Sequence, residues 1–423
     1  MIKFPNNPIK KSEFLQNVFT LLSGATLAQV ITLIAIPILT RIYTPEDFGY
    51  IAIYLSIANI IAAISTGRYE LAIMLPKKRQ EALAIFKGAF QIAFIISLIT
   101  LVIIVILKSF QHRFSSFIEP AYFYFLPLSI FIVGLGNVFF QWYTREKKFK
   151  VQAKLKIIKS GSSSGVNVFL GLAYSLKSLG LFFGHIAGQG VQQLLFGIRF
   201  YKEEKKNLKE VKAGLIKKQL KINNNFPRFS APMAFLNAIS KDVLIYVFEL
   251  FFTTSLVGQY SNATKVISYP LELINQSFMT VFYQKINETS KKLKFYIISY
   301  FGNFLIATIA MIPIVLWGEE LFVFVLGKDW EIAGAIAKYM APLTIASFAM
   351  RSVSNIFSLT RRNGILLIWQ AIYLFIILST IFILKSEKFE LMLLYFSLVG
   401  GFLYIVLAFI GYKILKKTYE TTI

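Results

Sequence analysis

The amino-acid sequence predicts an all-α, polytopic membrane protein of about twelve transmembrane helices, and three observations carry that expectation. Apolar residues fill 56% of its 423 positions and charged ones only 16%, with a mean hydropathy of +0.62, whereas soluble domains carry roughly a quarter charged residues. The apolar residues gather into runs of about 20, the length a helix needs to cross ~30 Å of hydrocarbon. They do not alternate over ~10-residue segments as barrel strands would. Finally, the basic residues crowd into every second loop.

The first run, 13–39, follows Lys3, Lys10 and Lys11 as the core of a leader peptide would. It is too long for one, and no small-residue cleavage site breaks the stretch from Phe14 to Leu39, so it is expected to remain as a span. Runs at 48–66 and 82–107 flank the basic segment Arg68 to Lys87, and runs at 121–142 and 157–176 flank Arg145 to Lys159. The fifth run opens on Ser160-Gly161-Ser162-Ser163-Ser164-Gly165, small residues expected to pack closely against another helix. The sixth, 179–199, ends at the one long hydrophilic stretch, Arg199 to Arg228, which closes on Asn223-Asn224-Asn225 and divides the chain almost in half. Beyond it lie 229–252, 255–282, 295–316, 335–360, 364–384 and 390–412. Pro37, Pro127, Pro232, Pro270, Pro313 and Pro342 all fall within runs, where each removes a backbone hydrogen bond and permits a kink.

Short cytoplasmic loops collect Lys and Arg. With the N-terminus inside, the inner segments hold 34 of the 45 basic residues and the outer ones 7, with four inside or at the ends of spans. Both termini are therefore expected in the cytoplasm. The net charge of +24 then answers to the anionic lipid surface, with no need of nucleic acid.

Tyr43-Thr44-Pro45-Glu46-Asp47-Phe48-Gly49-Tyr50 after the first run is echoed by Phe252-Thr253-Thr254-Ser255-Leu256-Val257-Gly258-Gln259 after the seventh, an offset of 209 residues. In each copy a glycine follows a bulky apolar residue at the start of the next helix. Six helices followed by six of the same orientation make a parallel repeat about an axis along the membrane normal, an arrangement that supports alternating access. Residues 1–210 and 211–423 are accordingly expected to form two six-helix lobes.

Ionisable side chains at membrane depth are costly and usually face a water-filled cavity or a partner. In the eighth run Asn262, Lys265, Ser268, Tyr269, Glu272, Asn275 and Gln276 recur at three and four residues, on one helical face. The tenth has Thr344, Ser347, Arg351, Ser354, Asn355 and Ser358; the seventh has Lys241, Asp242 and Glu249; the sixth has His185, Gln189, Gln192 and Gln193. These stripes are expected to line a polar lumen between the halves. The neutral residues could equally glue helices together, at ~0.6 kcal/mol each, but a helix seam does not require full charges. Lys241, Asp242 and Lys265 can pair with one another as a structural knot, which leaves Arg351 the first choice for an anionic substrate. Expected to bind substrate are Arg351, Lys265, Lys241, Asn262, Asn275, Gln276, Asn355 and Gln189. A buried carboxylate at Asp242 or Glu272 can titrate near neutral pH, which leaves coupling to a proton or sodium gradient open.

Several chemistries are excluded. Without cysteine there is neither a disulfide framework nor a thiolate metal site. No G-x-x-x-x-G-K-[ST] loop offers ATP hydrolysis, and no H-E-x-x-H or clustered His and carboxylate set suggests a metal centre or another cofactor. A membrane glycosyltransferase or polymerase would need a sizeable extramembrane loop, so an enzyme is not expected.

Leu39-Thr40-Arg41-Ile42-Tyr43-Thr44-Pro45-Glu46-Asp47-Phe48-Gly49, and Gly67-Arg68-Tyr69-Glu70-Leu71-Ala72-Ile73-Met74-Leu75-Pro76 with Glu81-Ala82 close behind, closely resemble bacterial Wzx-type oligosaccharide flippases. These form the polysaccharide transporter branch of the multidrug/oligosaccharidyl-lipid/polysaccharide (MOP) exporter superfamily. The resemblance in organisation covers the whole chain. It implies a MATE-like fold of two six-helix lobes around a cationic cavity, in the bacterial inner membrane. The implied substrate is an undecaprenyl-diphosphate-linked repeat unit, carried from the cytoplasmic to the periplasmic leaflet for O-antigen, capsule or exopolysaccharide assembly. A polysaccharide polymerase and a chain-length regulator are the implied partners beside that lipid-linked oligosaccharide and the bilayer. Arg68 and Glu70 match the family motif and would gate the site or brace their loop. The N-terminal runs hold fewer charges than the C-terminal ones, which puts symmetric binding by both lobes in doubt. The rival readings are a multidrug exporter of the same superfamily, a major-facilitator transporter, whose G-x-x-x-D-[RK]-x-G-R-[RK] loop is missing, and a polysaccharide polymerase or ligase.

Overall fold

The computed structural model describes residues 8–109, 121–289, 291–360, 362–385 and 387–420, and every element among them is helical. Each of the twelve apolar runs falls on a helix. The first six are α1 (Pro8–Ile42), α2 (Pro45–Ala62), α3 (Arg79–Ser109), α4 (Leu126–Arg145), α5 (Phe149–Tyr174) and α6 (Lys177–Glu210). A short helix α7 (Ala213–Ile222) precedes α8 (Ala231–Phe251), α9 (Thr254–Glu288) and α10 (Lys292–Leu326). The tenth run breaks into α11 (Glu331–Tyr339), α12 (Ala341–Val353) and α13 (Asn355–Leu359), and α14 (Asn363–Leu384) and α15 (Phe389–Glu420) complete the chain. Among the described residues six helices are long and apolar enough to cross a membrane alone, and a seventh span results if the pair bent by 57° at Met340 counts as one. The other runs carry the polar residues that lower their apolarity.

The prolines divide into two kinds. Pro37, Pro270 and Pro313 lie inside α1, α9 and α10, and α10 leaves helical geometry at Trp317 (φ −133°, ψ 30°), one turn beyond Pro313. Pro127 and Pro342 instead stand in the first turns of α4 and α12, where the missing N–H has no helical partner to lose, and Pro232 follows a π-helical turn, Phe226–Ser230, that runs without a break into α8. Pro342 adjoins the bend of 57° at Met340.

The chain packs as two compact units, Met1–Tyr43 with Tyr50–Asp242, and Thr44–Gly49 with Val243–Ile423. In the first, α1, α5 and α6 approach closely through small residues, as helices without a hydrophobic driving force between them must. A Cβ on Gly24 would overlap Ala153, and Tyr43 wedges between Gly171 and Gly180 while its hydroxyl donates to the Asn167 carbonyl at 2.7 Å. Ser163 and Asn167 of α5 pack against Gly188 and Gly184 of α6. The small-residue run Ser160–Gly165 therefore packs closely against α6 through Ser163, while Gly161 and Gly165 face open space. A second cluster in this unit gathers Tyr69, Ile73, Leu83, Phe86, Trp142 and Phe200, with the Phe86 and Phe200 rings stacked at 4.2 Å. Leu215, Ile216 and Leu220 of α7 close over it.

In the second unit the core is Phe282, Tyr296, Met350, Phe357 and Leu415, and the Tyr296 hydroxyl donates to the Ala408 carbonyl at 2.9 Å. The short piece Thr44–Gly49 belongs here. A Cβ on Gly258 would overlap the Pro45 carbonyl and one on Gly49 the Thr254 carbonyl, so the glycines of the two echoed segments allow backbone to meet backbone. Phe48 packs edge-on against the buried Trp330 at 5.3 Å. Gln259 holds the turn at Trp330 by donating to the Asp329 carbonyl (2.6 Å) and accepting from the Ala333 N–H (3.0 Å).

Candidate functional site

The polar stripe of α9 survives in three dimensions. Ser268 and Glu272 are exposed on it, Lys265 is half-buried, and Asn262 and Asn275 are buried at its inner edge. The Lys265 ammonium lies 5.9 Å from the centre of the Phe48 ring, a cation–π distance. Asn262 is fully buried and neither polar atom of its side chain has a partner among the described residues, an arrangement that ordinarily costs about 1–3 kcal/mol. The Ser352 hydroxyl donates to Asn275 Oδ1 at 2.9 Å, so Asn275 ties α9 to α12 and is committed to that bond. The Gln276 side chain lies outside the described residues.

Arg351 occupies the last turn of α12 and is exposed. It lies close enough to Tyr373 and Tyr404 to act on their hydroxyls electrostatically. Those two rings and Trp369 form one cluster, with centroids 4.9 to 5.6 Å apart. Ser354 and Asn355 follow half-buried, and the Ser354 hydroxyl donates back to the Arg351 carbonyl at 2.8 Å. The second unit thus brings Lys265, Glu272, Arg351 and Asn355 onto two packed elements, α9 and α12–α13. An exposed guanidinium beside a face of aromatic rings can hold an anion and offer π surface at once.

The remaining candidates lie in the first unit. Lys241 is exposed near the middle of α8, and the half-buried Asp242 accepts from the Ser56 hydroxyl of α2, with Lys241 as its neighbouring charge. Gln189 is buried on α6 beside Gln192 and Gln193, the last two joined at 3.4 Å. Gln193 Oε1, Gln29 Oε1 and Asn167 Oδ1 are buried with no partner among the described residues. Four lysines of the basic segment Arg145 to Lys159 belong to α5: Lys150 and Lys154, both exposed, and Lys156 and Lys159, both half-buried, with Lys156 5.3 Å from the centre of the Phe140 ring. The three-residue spacing of the last two, set against the glutamines of the sixth run, is the signal that could have found them.

Arg68 and Glu70 pair with each other at the start of a turn. Gly67 and Arg68 adopt left-handed φ of 59° and 61° and open a 3₁₀ turn, Tyr69–Met74. Glu70 is buried, accepts from the Thr66 hydroxyl and pairs with Arg68 at 3.3 Å. The Tyr69 hydroxyl donates to the Leu220 carbonyl (3.0 Å) and Arg145 to the Ile73 carbonyl (3.0 Å), so this turn joins α4 and α7 to the aromatic cluster. Beside it Arg79 lies 5.7 Å from the centre of the Trp142 ring and pairs with Glu146 (3.0 Å) and the fully buried Glu204. Glu203 is paired to Lys148 (2.8 Å) and Arg199 (3.0 Å). Burial alone would raise its carboxyl, and these two cations outweigh it and hold it low. No group of three or more His or carboxylate ligands that could hold a metal occurs among the described residues.

Long apolar helices packed through small residues define a multi-pass membrane protein. The chain belongs to the polysaccharide biosynthesis protein family, whose model matches residues 38–334. Its fold is that of the MOP superfamily transporters. An outward-facing multidrug resistance MATE transporter of that superfamily is 13% identical with a TM-score of 0.57, covering 96% of each chain. A MOP superfamily transporter from Pyrococcus furiosus is 12% identical with a TM-score of 0.55, over 96% of this chain and 94% of that one. A MATE transporter from Vibrio cholerae is 11% identical with a TM-score of 0.55, over 96% and 97%. No curated protein sequence matches the chain.

Proposed function

We propose that this protein is a flippase that carries polyprenyl-diphosphate-linked oligosaccharide repeat units from the cytoplasmic to the periplasmic leaflet of a bacterial inner membrane, by alternating access across two six-helix lobes. The observation that carries the reading is Arg351, an exposed cation on the polar stripe of the tenth run, beside the Trp369–Tyr373–Tyr404 rings and one packed element from Lys265. Guanidinium and ammonium groups suit a diphosphate, and amides, hydroxyls and ring faces suit sugars. Membership of a polysaccharide biosynthesis family and a transporter fold support the same substrate class. In this reading Lys265, Lys241, Asn262, Asn355 and Gln189 attend the headgroup, Asn275 positions α9, and Asp242 and Glu272 are the groups available for ion coupling.

The test is complementation of a strain lacking the gene. Arg351→Ala should abolish surface polymer while leaving the protein at its normal level in the membrane, and lipid-linked repeat units should accumulate on the cytoplasmic leaflet. Normal polymer from the variant would remove Arg351 from the site; accumulation on the outer leaflet in the deletion strain would point to a polymerase instead.

A further inference from the structure

One face of α5 stays polar for about four turns. Gln152, Lys156, Lys159, Ser163 and Asn167 recur along it at three and four residues, on the side opposite the exposed Lys154, Gly161, Gly165 and Leu172. The face therefore looks into the first unit, and its neighbours are fixed. Gln152 Nε2 donates to the Phe140 carbonyl (2.8 Å) and to Thr144 Oγ1 (2.9 Å) of α4. The Lys159 carbonyl and Ser163 lie against Gly188 of α6, and Asn167 against Gly184. The two helices are thus antiparallel, and Gln192, one turn beyond Gly188, is level with Lys159. On the other flank Gly24 of α1 lies against Ala153 and Ile42 against Gly171, so α1 runs parallel to α5 and Gln29 comes at the height of the lysine pair.

Two charges on this face are unanswered. Lys156 and Lys159 are half-buried, and neither ammonium donates a hydrogen bond or joins an ion pair among the described residues. The charge that acts on Lys159 is that of Lys156 itself. The Phe140 ring offsets Lys156 in part, at 5.3 Å, and no ring among the described residues does the same for Lys159. Two ammonium groups held together out of bulk water are costly unless an anion joins them.

The same region is short of donors. Gln152 Oε1, Gln193 Oε1 and Gln29 Oε1 are buried without partners among the described residues. Reversing the amides does not cure this, because Gln152 Nε2 is held by its two bonds to α4 and Gln193 Nε2 donates to Gln192 Oε1 at 3.4 Å. A diphosphate carries acceptors only: it answers the lysines and leaves the amide oxygens as they are. A sugar that bears a carboxylate answers both, with anionic oxygens for the ammonium groups and hydroxyl hydrogens for the glutamines.

We propose that the inward face of α5 is a sugar site, at which Lys156 and Lys159 take the carboxylate of an acidic sugar and the glutamine oxygens around them accept from its hydroxyls. The proposal rests on the flippase reading for the ligand being a repeat unit, and it adds that this repeat unit is acidic.

The probes are two polyprenyl-diphosphate disaccharides of equal chain length, one ending in glucuronate and one in glucose, titrated into purified full-length protein in nanodiscs. The wild-type protein should bind the glucuronate compound about tenfold more tightly, a difference of ~1.4 kcal/mol. Lys156→Gln with Lys159→Gln should erase that preference and leave binding of the glucose compound unchanged. The double variant loses two charges that repel each other, so it should melt no lower than the wild type. Equal affinity of the wild-type protein for the two compounds would overturn the proposal, as would a variant that still prefers the acidic one. A variant that loses both compounds equally would put the lysines on the diphosphate the two share, and would overturn it as well. Hydrolysed surface polymer from the native strain is a check that needs no variant. It should contain an acidic sugar; a neutral polymer would overturn the proposal and leave the flippase reading standing. A wild-type protein that binds neither compound and moves no repeat units would end the flippase reading, and the proposal with it.

Discussion

At the scale of single residues, the positions that tolerate least are those where backbone meets backbone. Gly258 and Gly49 lie against the carbonyls of Pro45 and Thr254, and neither peptide can swing aside as a flexible side chain would. Gly258→Val is expected to destabilise the protein by about 1–3 kcal/mol, measured as lowered thermal stability in detergent. Arg79→Ala would strand the fully buried Glu204. A fully buried pair broken this way costs ~3–5 kcal/mol, and the exposure of Arg79 lowers the expectation to about 2 kcal/mol. Glu203 adds a dependence on pH. Its folded carboxyl is held below the ordinary value of 4.5 by Lys148 and Arg199 against the effect of burial. Its contribution is thus fully present above that pH and is lost as the pH falls through the folded value. The melting temperature should decline on acidification below about pH 4.5, and Glu203→Gln should reduce the slope of that decline in the same assay. Of these residues the sequence pointed to the two glycines, through their echo. Glu203 and Glu204 look like ordinary members of a charged stretch, because which carboxylate becomes buried depends on where α3 and α4 lie.

At the scale of elements, periodicity told which face of a helix is polar but not how deeply each member sits. Along α9 the same stripe holds exposed Ser268 and Glu272 and buried Asn262 and Asn275, because α12 covers one edge of it through the Ser352–Asn275 bond. Ser268→Cys should therefore react with a membrane-impermeant thiol reagent, while Leu98→Cys, on the exposed apolar face of α3, should not. Equal protection at both sites would mean that the α9 stripe does not meet water. The prolines carry the same lesson. Pro313 and Pro342 look alike in sequence, yet one lies inside a long helix and the other begins one after a break. A proline is compatible with either position, so neighbouring packing selects between them. The charge pattern alone puts Lys150, Lys154, Lys156 and Lys159 in a loop because it marks a membrane boundary there, whereas α5 starts at Phe149 and carries all four lysines within it.

At the scale of the whole molecule, the twelve spans expected from sequence and the concentration of basic residues in alternate loops predict that both termini lie in the cytoplasm. A fluorescent protein fused after Ile423 should fold and fluoresce, and an alkaline phosphatase fused there should stay inactive; the opposite pair of results would require an odd number of crossings. The sequence alone determined the all-α membrane architecture, since hydrocarbon demands helices of a set length wherever backbone polar groups must satisfy one another internally. It also determined the family-like motifs, the candidate cations and the half-chain echo. Only the tertiary structure decided that the Arg68–Pro76 motif forms a turn tied to α4 and α7, that Thr44–Gly49 packs with the second unit, and that four lysines lie within α5. Chain-local patterns record what each segment needs from its surroundings, a bilayer or water. Which neighbour meets that need depends on contacts between residues far apart in sequence, and no single segment encodes them.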